Sequence, residues 1–132
     1  MLIIELPWPP RVLSPNSRRH WRTRAPVARD YRVNCLCIAR EAMKKQRFKL
    51  PKGLCDPGSL DVWIDFYAPD RRLRDDDNCI ASFKSGRDGL AKALGCDDRI
   101  FRIHPFLQPD PVEGGKVVVR IGAREDAKPE NE

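Results

Sequence analysis

The sequence contains no C-x-x-C pair, and its five cysteines (Cys35, Cys37, Cys55, Cys79 and Cys96) are odd in number. That pattern excludes a zinc ribbon and a closed disulfide framework, and points to reduced, mostly structural thiols in a cytoplasmic protein. Histidine is nearly missing: only His20 and His104 occur, and neither has a partner at ligand spacing. A histidine-based metal centre is excluded with it. No apolar run approaches the roughly 18 residues of a membrane helix, so no membrane partner is expected. The opening "MLIIELPWPP" is too short and too rich in proline for a signal peptide. No segment repeats.

Charge is what the chain has in abundance. Of its 132 residues 33% are charged and 41% hydrophobic, the balance of one folded domain with a heavily charged surface. Net charge is +6, and the closing "REDAKPENE" carries −2 of it, leaving +8 on the remainder. A basic body of this size favours an anionic partner, with nucleic acid ahead of an acidic membrane surface. The folded domain is expected over residues 1–122, and 123–132 reads as a disordered polar tail.

Hydrophobic periodicity sets out the elements. "LIIEL" is a short strand stopped by "PWPP", whose prolines withhold ladder donors. The stretch "RVLSPNSRRHWRTRAP" reads as an arginine-dense loop. From about Val27 to Arg47 the spacing of Tyr31, Cys35, Ile38 and Ala42 predicts a helix. "LDVWIDFY" alternates cleanly and predicts a half-buried strand. "CIASFKSGRDGLAKAL" predicts a second helix, weakened by Gly86 and Gly89 and closed by Gly95. "DDRIFRIHPFL" starts a further strand, and "DPVEGG" turns into the last one, "KVVVRIG". The expected fold is a small α+β domain: a mixed sheet of about four strands packed with two main helices.

Between the central strand and the second helix lies "PDRRLRDDDN", three arginines set against three aspartates. One acid is accounted for as a helix N-cap, most naturally Asp77 or its neighbour Asn78. Three are more than a cap needs. In an extended segment Asp75 and Asp77 share a side while Asp76 turns away, and two adjacent carboxylates repel unless a cation bridges them. Mg²⁺ or Mn²⁺ takes such oxygen ligands and completes its shell with water and phosphate. An EF-hand starting at Asp75 fails, because its sixth and twelfth positions are Ile80 and Gly86. "GCDDR" adds Asp97 and Asp98 beyond the helix, and Lys84 lies two helical turns after Asp77. Capping and metal binding both remain open for these acids.

Taken together, "LPWPP", "PDRRLRDDDN", "ASFKSGRDGL" and "CDDR" resemble the RusA family of Holliday junction resolvases, with elements in the same order from Leu2 to about Ile121. The resemblance implies a Mg²⁺-dependent (or Mn²⁺-dependent) endodeoxyribonuclease, homodimeric, that nicks opposed strands of four-way DNA. It assigns the catalytic, metal-binding carboxylates to Asp75, Asp77 and Asp98. The family's essential lysine falls four positions after the second aspartate, where this chain has Ala81; Lys84, three residues on, takes the role. Arg71, Arg72 and Arg74 would then clamp backbone phosphates, or pair with Asp70 or Asp76. The "NSRRHWRTR" loop offers Arg18, Arg19, Arg22 and Arg24 for phosphates, with His20 or Trp21 stacking on an opened base, or Trp21 buried. The competing classes are a non-catalytic basic DNA-binding module and a nuclease of flaps and forks.

Overall fold

The computed structural model describes residues 1–123. Strands β1 (Leu2–Pro7), β2 (Leu60–Tyr67), β3 (Phe101–Leu107) and β4 (Lys116–Ala123) form a single mixed sheet in the order β1-β4-β2-β3. β4 runs antiparallel to both β1 and β2, and β2 pairs parallel with β3. β1, β2 and β3 therefore share one direction. Helices α1 (Trp21–Gln46), α2 (Asp76–Ser82) and α3 (Lys84–Leu94) complete an α+β domain. The polar tail expected at 123–132 lies outside the described residues, except that Ala123 is the buried last residue of β4.

Period-2 alternation decides which face of the sheet is covered. Leu2, Ile4 and Leu6 of β1, Leu60, Val62, Ile64 and Phe66 of β2, and Val117, Val119 and Ile121 of β4 are all buried. They form one core with Tyr31, Cys35 and Ala39 of α1 and Leu90, Ala91 and Leu94 of α3. Among the described residues no helix packs against the opposite face. There Asp61 and Asp65 are nonetheless buried, covered by neighbouring side chains. His104 Nε2 donates to Asp61 over 2.7 Å while its ring stacks on Trp63, and Gln108 donates to Asp65 over 2.8 Å. Buried carboxylates need such partners, and His104 is thereby committed to the sheet. At the outer edge of β1, the Gln46 carboxamide bonds both the N–H and the C=O of Ile3, closing part of the free ladder. Pro105 is tolerated in β3 because β3 is the other edge.

Three helices stand where two main ones were expected. α1 begins at Trp21, six residues earlier than periodicity indicated, with Pro26 inside it and Arg47 closing it in the left-handed conformation. The first six residues of α1 are polar or exposed, so they carry no apolar stripe for a sequence reading to detect. The second predicted helix is broken at Phe83 (φ −90°, ψ 2°) into α2 and α3. The break turns the Phe83 ring fully into the core, edge-on to Tyr31 and Phe66 at centroid distances of 6.3 and 6.0 Å. Gly86 and Gly89 are contact points here, rather than weak positions. A Cβ on Gly89 would lie 2.5 Å from the Arg32 carbonyl oxygen, so glycine is what lets α3 approach α1. Among the described residues no helix is long and apolar enough to cross a membrane.

All five cysteines are free. Burial pushes the Cys35 and Cys96 thiols up to about 11, the latter helped by Asp97 and Asp98, and raises Cys79 as well. Two predictions follow from this packing. A thiol reagent at pH 8 should label the exposed Cys37 and Cys55 quickly, the half-buried Cys96 more slowly, and Cys35 and Cys79 only on unfolding, as counted by mass spectrometry. Gly89→Ala should cost about 1–3 kcal/mol in urea unfolding, because the added methyl overpacks the α1–α3 contact.

Candidate functional site

Because β1 and β2 run the same way with β4 between them, the segments that follow Pro7 and Tyr67 emerge at one end of the sheet. There they enclose a cavity of about 610 Å³. The "WPP" turn and the short 3-10 turn Arg11–Leu13 form one wall, the segment from Pro69 to Asp75 another, and Asn78, Cys79 and Ser82 of α2 a third. A second hollow of about 630 Å³ shares Arg11, Ser14 and Asn16 with the first and extends to Arg19 and Thr23.

Trp8 is the aromatic wall of the cavity, and three neighbours hold it. Phe66 meets it edge-on at 6.2 Å, and the Arg74 guanidinium lies 5.7 Å from the centre of its ring. Gly115 (φ +71°) presses against it from behind: a Cβ there would come within 2.9 Å of Trp8 Cβ and 3.1 Å of Pro69. Arg74 is fixed in turn by Asp70, its Nη1 donating to the carboxylate at 2.8 Å and to the backbone oxygens of Asp70 and Arg72 at 3.1 and 3.2 Å. Those bonds, chiefly the one from Arg74, hold the Asp70 carboxyl below the usual carboxylate range. Asp70 therefore keeps its charge, and the contact with Arg74, until pH falls below the ordinary carboxylate value.

The charge blocks are now separable residue by residue. Arg74 is half-buried and folded back on Asp70, and Arg72 reaches the same carboxylate at a looser 3.4 Å. Arg71 is exposed and belongs to none of the ion pairs among the described residues. The acids do not form an extended row, since α2 starts at Asp76. Asp75, rather than Asp77 or Asn78, is the N-cap, its Oδ1 accepting from the Asp77 N–H at 2.9 Å. Among the described residues Asp75 Oδ2 has no partner, and Asp75, Asp76 and Asp77 are all exposed. The same-face relation of Lys84 to Asp77 fails, because the break at Phe83 lies between them. Lys84 opens α3 and forms a surface pair with Asp88 at 3.9 Å.

Asp98 stands elsewhere. It opens the 3-10 turn Asp98–Ile100 that leads into β3, at the end where β2 begins, while Asp75 and Asp77 follow the end where β2 finishes. The paired length from Leu60 to Phe66 separates those ends by about 20 Å. Accordingly, among the described residues no three His, Cys, Asp or Glu side chains gather closely enough to hold a metal ion. Asp75 and Asp77 alone suit a cation that keeps most of its water, as Mg²⁺ does with one or two carboxylates and a phosphate.

At the start of α1, His20 caps the helix, with Nδ1 accepting from the Arg22 N–H at 3.1 Å. Trp21 is 65% exposed, which removes the reading of a buried core residue. It lies beside His20 with the Arg22 guanidinium over its face at 5.6 Å. Arg18 and Arg19 are exposed, and Arg19 reaches the second hollow. Trp8 and Arg11 line the cavity yet were not singled out from sequence, and Asn78 was read there only as a helix cap. The only signal was the unusual "PWPP", which reads equally well as a strand stop.

The chain belongs to the same family as a protein of Xylella fastidiosa (strain Temecula1 / ATCC 700964) described as an uncharacterized protein. The two are 44% identical over 123 residues, spanning 92% of this chain and 76% of the relative. No family model matches the chain.

Capping makes a separable prediction for Asp75. Asp75→Ala should lose about 1 kcal/mol of unfolding free energy, whereas Asp75→Asn, which keeps the cap acceptor, should stay close to the parent in the same urea titration.

Proposed function

We propose that the protein is a metal-dependent endodeoxyribonuclease that resolves four-way DNA junctions by paired nicks, acting as a two-fold dimer on a two-fold substrate. The observation that carries this reading is the position of Asp75, with a free carboxylate oxygen, on the wall of a cavity that also presents Arg11, Arg72 and Arg74. A nuclease needs this combination: cations to draw in an anionic backbone, and acids able to hold a divalent ion beside it.

Each residue then has a role that its surroundings permit. Arg71 and Arg72, exposed on the loop, bind phosphates flanking the scissile bond. Arg74, immobilised by Asp70, presents fixed positive charge to the cavity and shapes its wall. Asp75 and Asp77 would hold a largely hydrated Mg²⁺ or Mn²⁺, which when bound supplies charge neutralisation at the phosphate and a water of lowered pKa. Lys84 assists from the start of α3 by stabilising negative charge on the phosphate, once freed from its long surface contact with Asp88. Arg18, Arg19, Arg22 and Trp21 extend the DNA surface past Arg11 along the start of α1. Asp98, at the other end of β2, cannot join Asp75 and Asp77 within one chain as it is folded here.

A second reading has its own support. The N-cap role of Asp75 and the separation of Asp98 fit a basic DNA-binding module whose acids serve only the fold. A labelled four-way junction with Mg²⁺, compared across the parent, Asp77→Asn and Asp98→Asn, distinguishes them. Symmetric nicks that are lost with Asp77→Asn and on chelation support the nuclease. Salt-sensitive binding without cleavage in any variant overturns it in favour of the binding module. Faster cutting of flaps or forks at equal salt would shift the substrate away from junctions.

A further inference from the structure

We infer that the 610 Å³ cavity is a nucleotide pocket, which takes one nucleobase against Trp8 with its phosphate toward Arg11 and Arg72. The inference deepens the nuclease reading, and rests on it for the source of the nucleotide: a base extruded from DNA next to the cleaved bond.

The chemistry of the walls carries it. The volume falls within the roughly 300–1,000 Å³ of small-molecule sites, large enough for a base with its sugar. The half-buried Trp8 supplies an aromatic surface on which any base can stack, with Phe66 buried edge-on beneath it. The Asn16 and Asn78 carboxamides each carry a donor and an acceptor, which suits the edge of a base. Arg11, Arg72 and Arg74 line the same cavity and suit an anion, and Asp75 is the one carboxylate among the lining residues. A bare phosphate would call for neither the indole nor the amides.

Leu73 gives the pocket a partner at its rim. It is 102% exposed, an apolar side chain projecting without a contact between Arg72 and Arg74. A single exposed leucine is ordinary on a protein surface; what sets Leu73 apart is its place on the cavity lining between two arginines. Proteins that unstack duplex DNA insert apolar side chains of this kind between bases, and enzymes that extrude a base give it a shaped pocket. Leu73 and the cavity stand side by side, so one side chain fills the gap left in the stack while the displaced base enters beside Trp8. Gly115 is part of the device: with no Cβ it lets the indole sit back far enough to leave the space open.

The three tryptophans give three indole N–H signals in a ¹⁵N spectrum, and Trp8→Phe assigns the one that matters. Titration with deoxynucleoside 5′-monophosphates should shift the Trp8 signal, and deoxyribose 5-phosphate should leave it in place. Junction DNA carrying 2-aminopurine beside the cleaved phosphate should brighten several-fold on binding the parent protein, and far less with Leu73→Ala. A Trp8 signal unmoved by both nucleotides and junction DNA overturns the pocket. A signal moved by nucleotides only, with 2-aminopurine unchanged, overturns extrusion and makes the free nucleotide the ligand. A signal moved by the junction while no DNA is cut leaves the pocket standing and removes the nuclease reading. Should Trp8→Phe fail to fold, Trp21→Phe and Trp63→Phe identify the other two signals and leave that of Trp8 by elimination.

Discussion

A chain of ring contacts connects the centre of this protein to its surface site. Tyr31 of α1 meets Phe83, Phe83 meets Phe66 of β2, and Phe66 meets Trp8, each pair edge-to-face with centroids 6.0–6.3 Å apart. Such pairs contribute about 0.5–1.5 kcal/mol each beyond their buried area. The Tyr31 hydroxyl also donates to the Pro7 carbonyl at 2.7 Å, tying α1 to the point where β1 ends. From Trp8 the line continues through Arg74 to Asp70. The floor of the cavity is therefore core, and a change at Phe83 would reach Trp8 through two ring contacts.

Strand direction decides what assembles around that floor. With β4 antiparallel between β1 and β2, the outgoing loops of two strands that do not pair with each other meet at one end of the sheet. The "WPP" turn and the charge blocks are some sixty residues apart in the chain and share a cavity for this reason alone. The parallel pairing of β2 with β3 does the opposite for the acids. A helical connection between parallel strands must return to the end where the first strand began, and it carries Asp98 there, away from Asp75 and Asp77. The same topology gathers the arginines around the cavity and disperses the carboxylates.

Much of the fold was legible because its signals are local. Alternation in "LDVWIDFY" and the apolar run of "KVVVRIG" placed β2 and β4 correctly, and helical spacing found the core stripe of α1 through Tyr31 and Cys35. What escaped was governed by contacts across the chain. The break at Phe83 exists because an aromatic ring is better placed in the core than on a continuous helix, and sequence spacing does not show that vacancy. Gly86 and Gly89 looked like defects in a helix. Their value lies in what they face, the Phe83 ring and the backbone of α1.

The opposed charge blocks of "PDRRLRDDDN" show where each source of information ends. Residue type alone established a basic surface, an acid-rich helix start and the residues able to meet phosphate or metal, because charge and ligand chemistry belong to the side chain wherever it is placed. Tertiary structure decided which of them act together. Arg74 turned inward to Asp70 and Trp8, Asp75 became the cap with one oxygen to spare, and Leu73 was left in open solvent. Such outcomes depend on distances between segments remote in sequence, and strand order and direction set those distances.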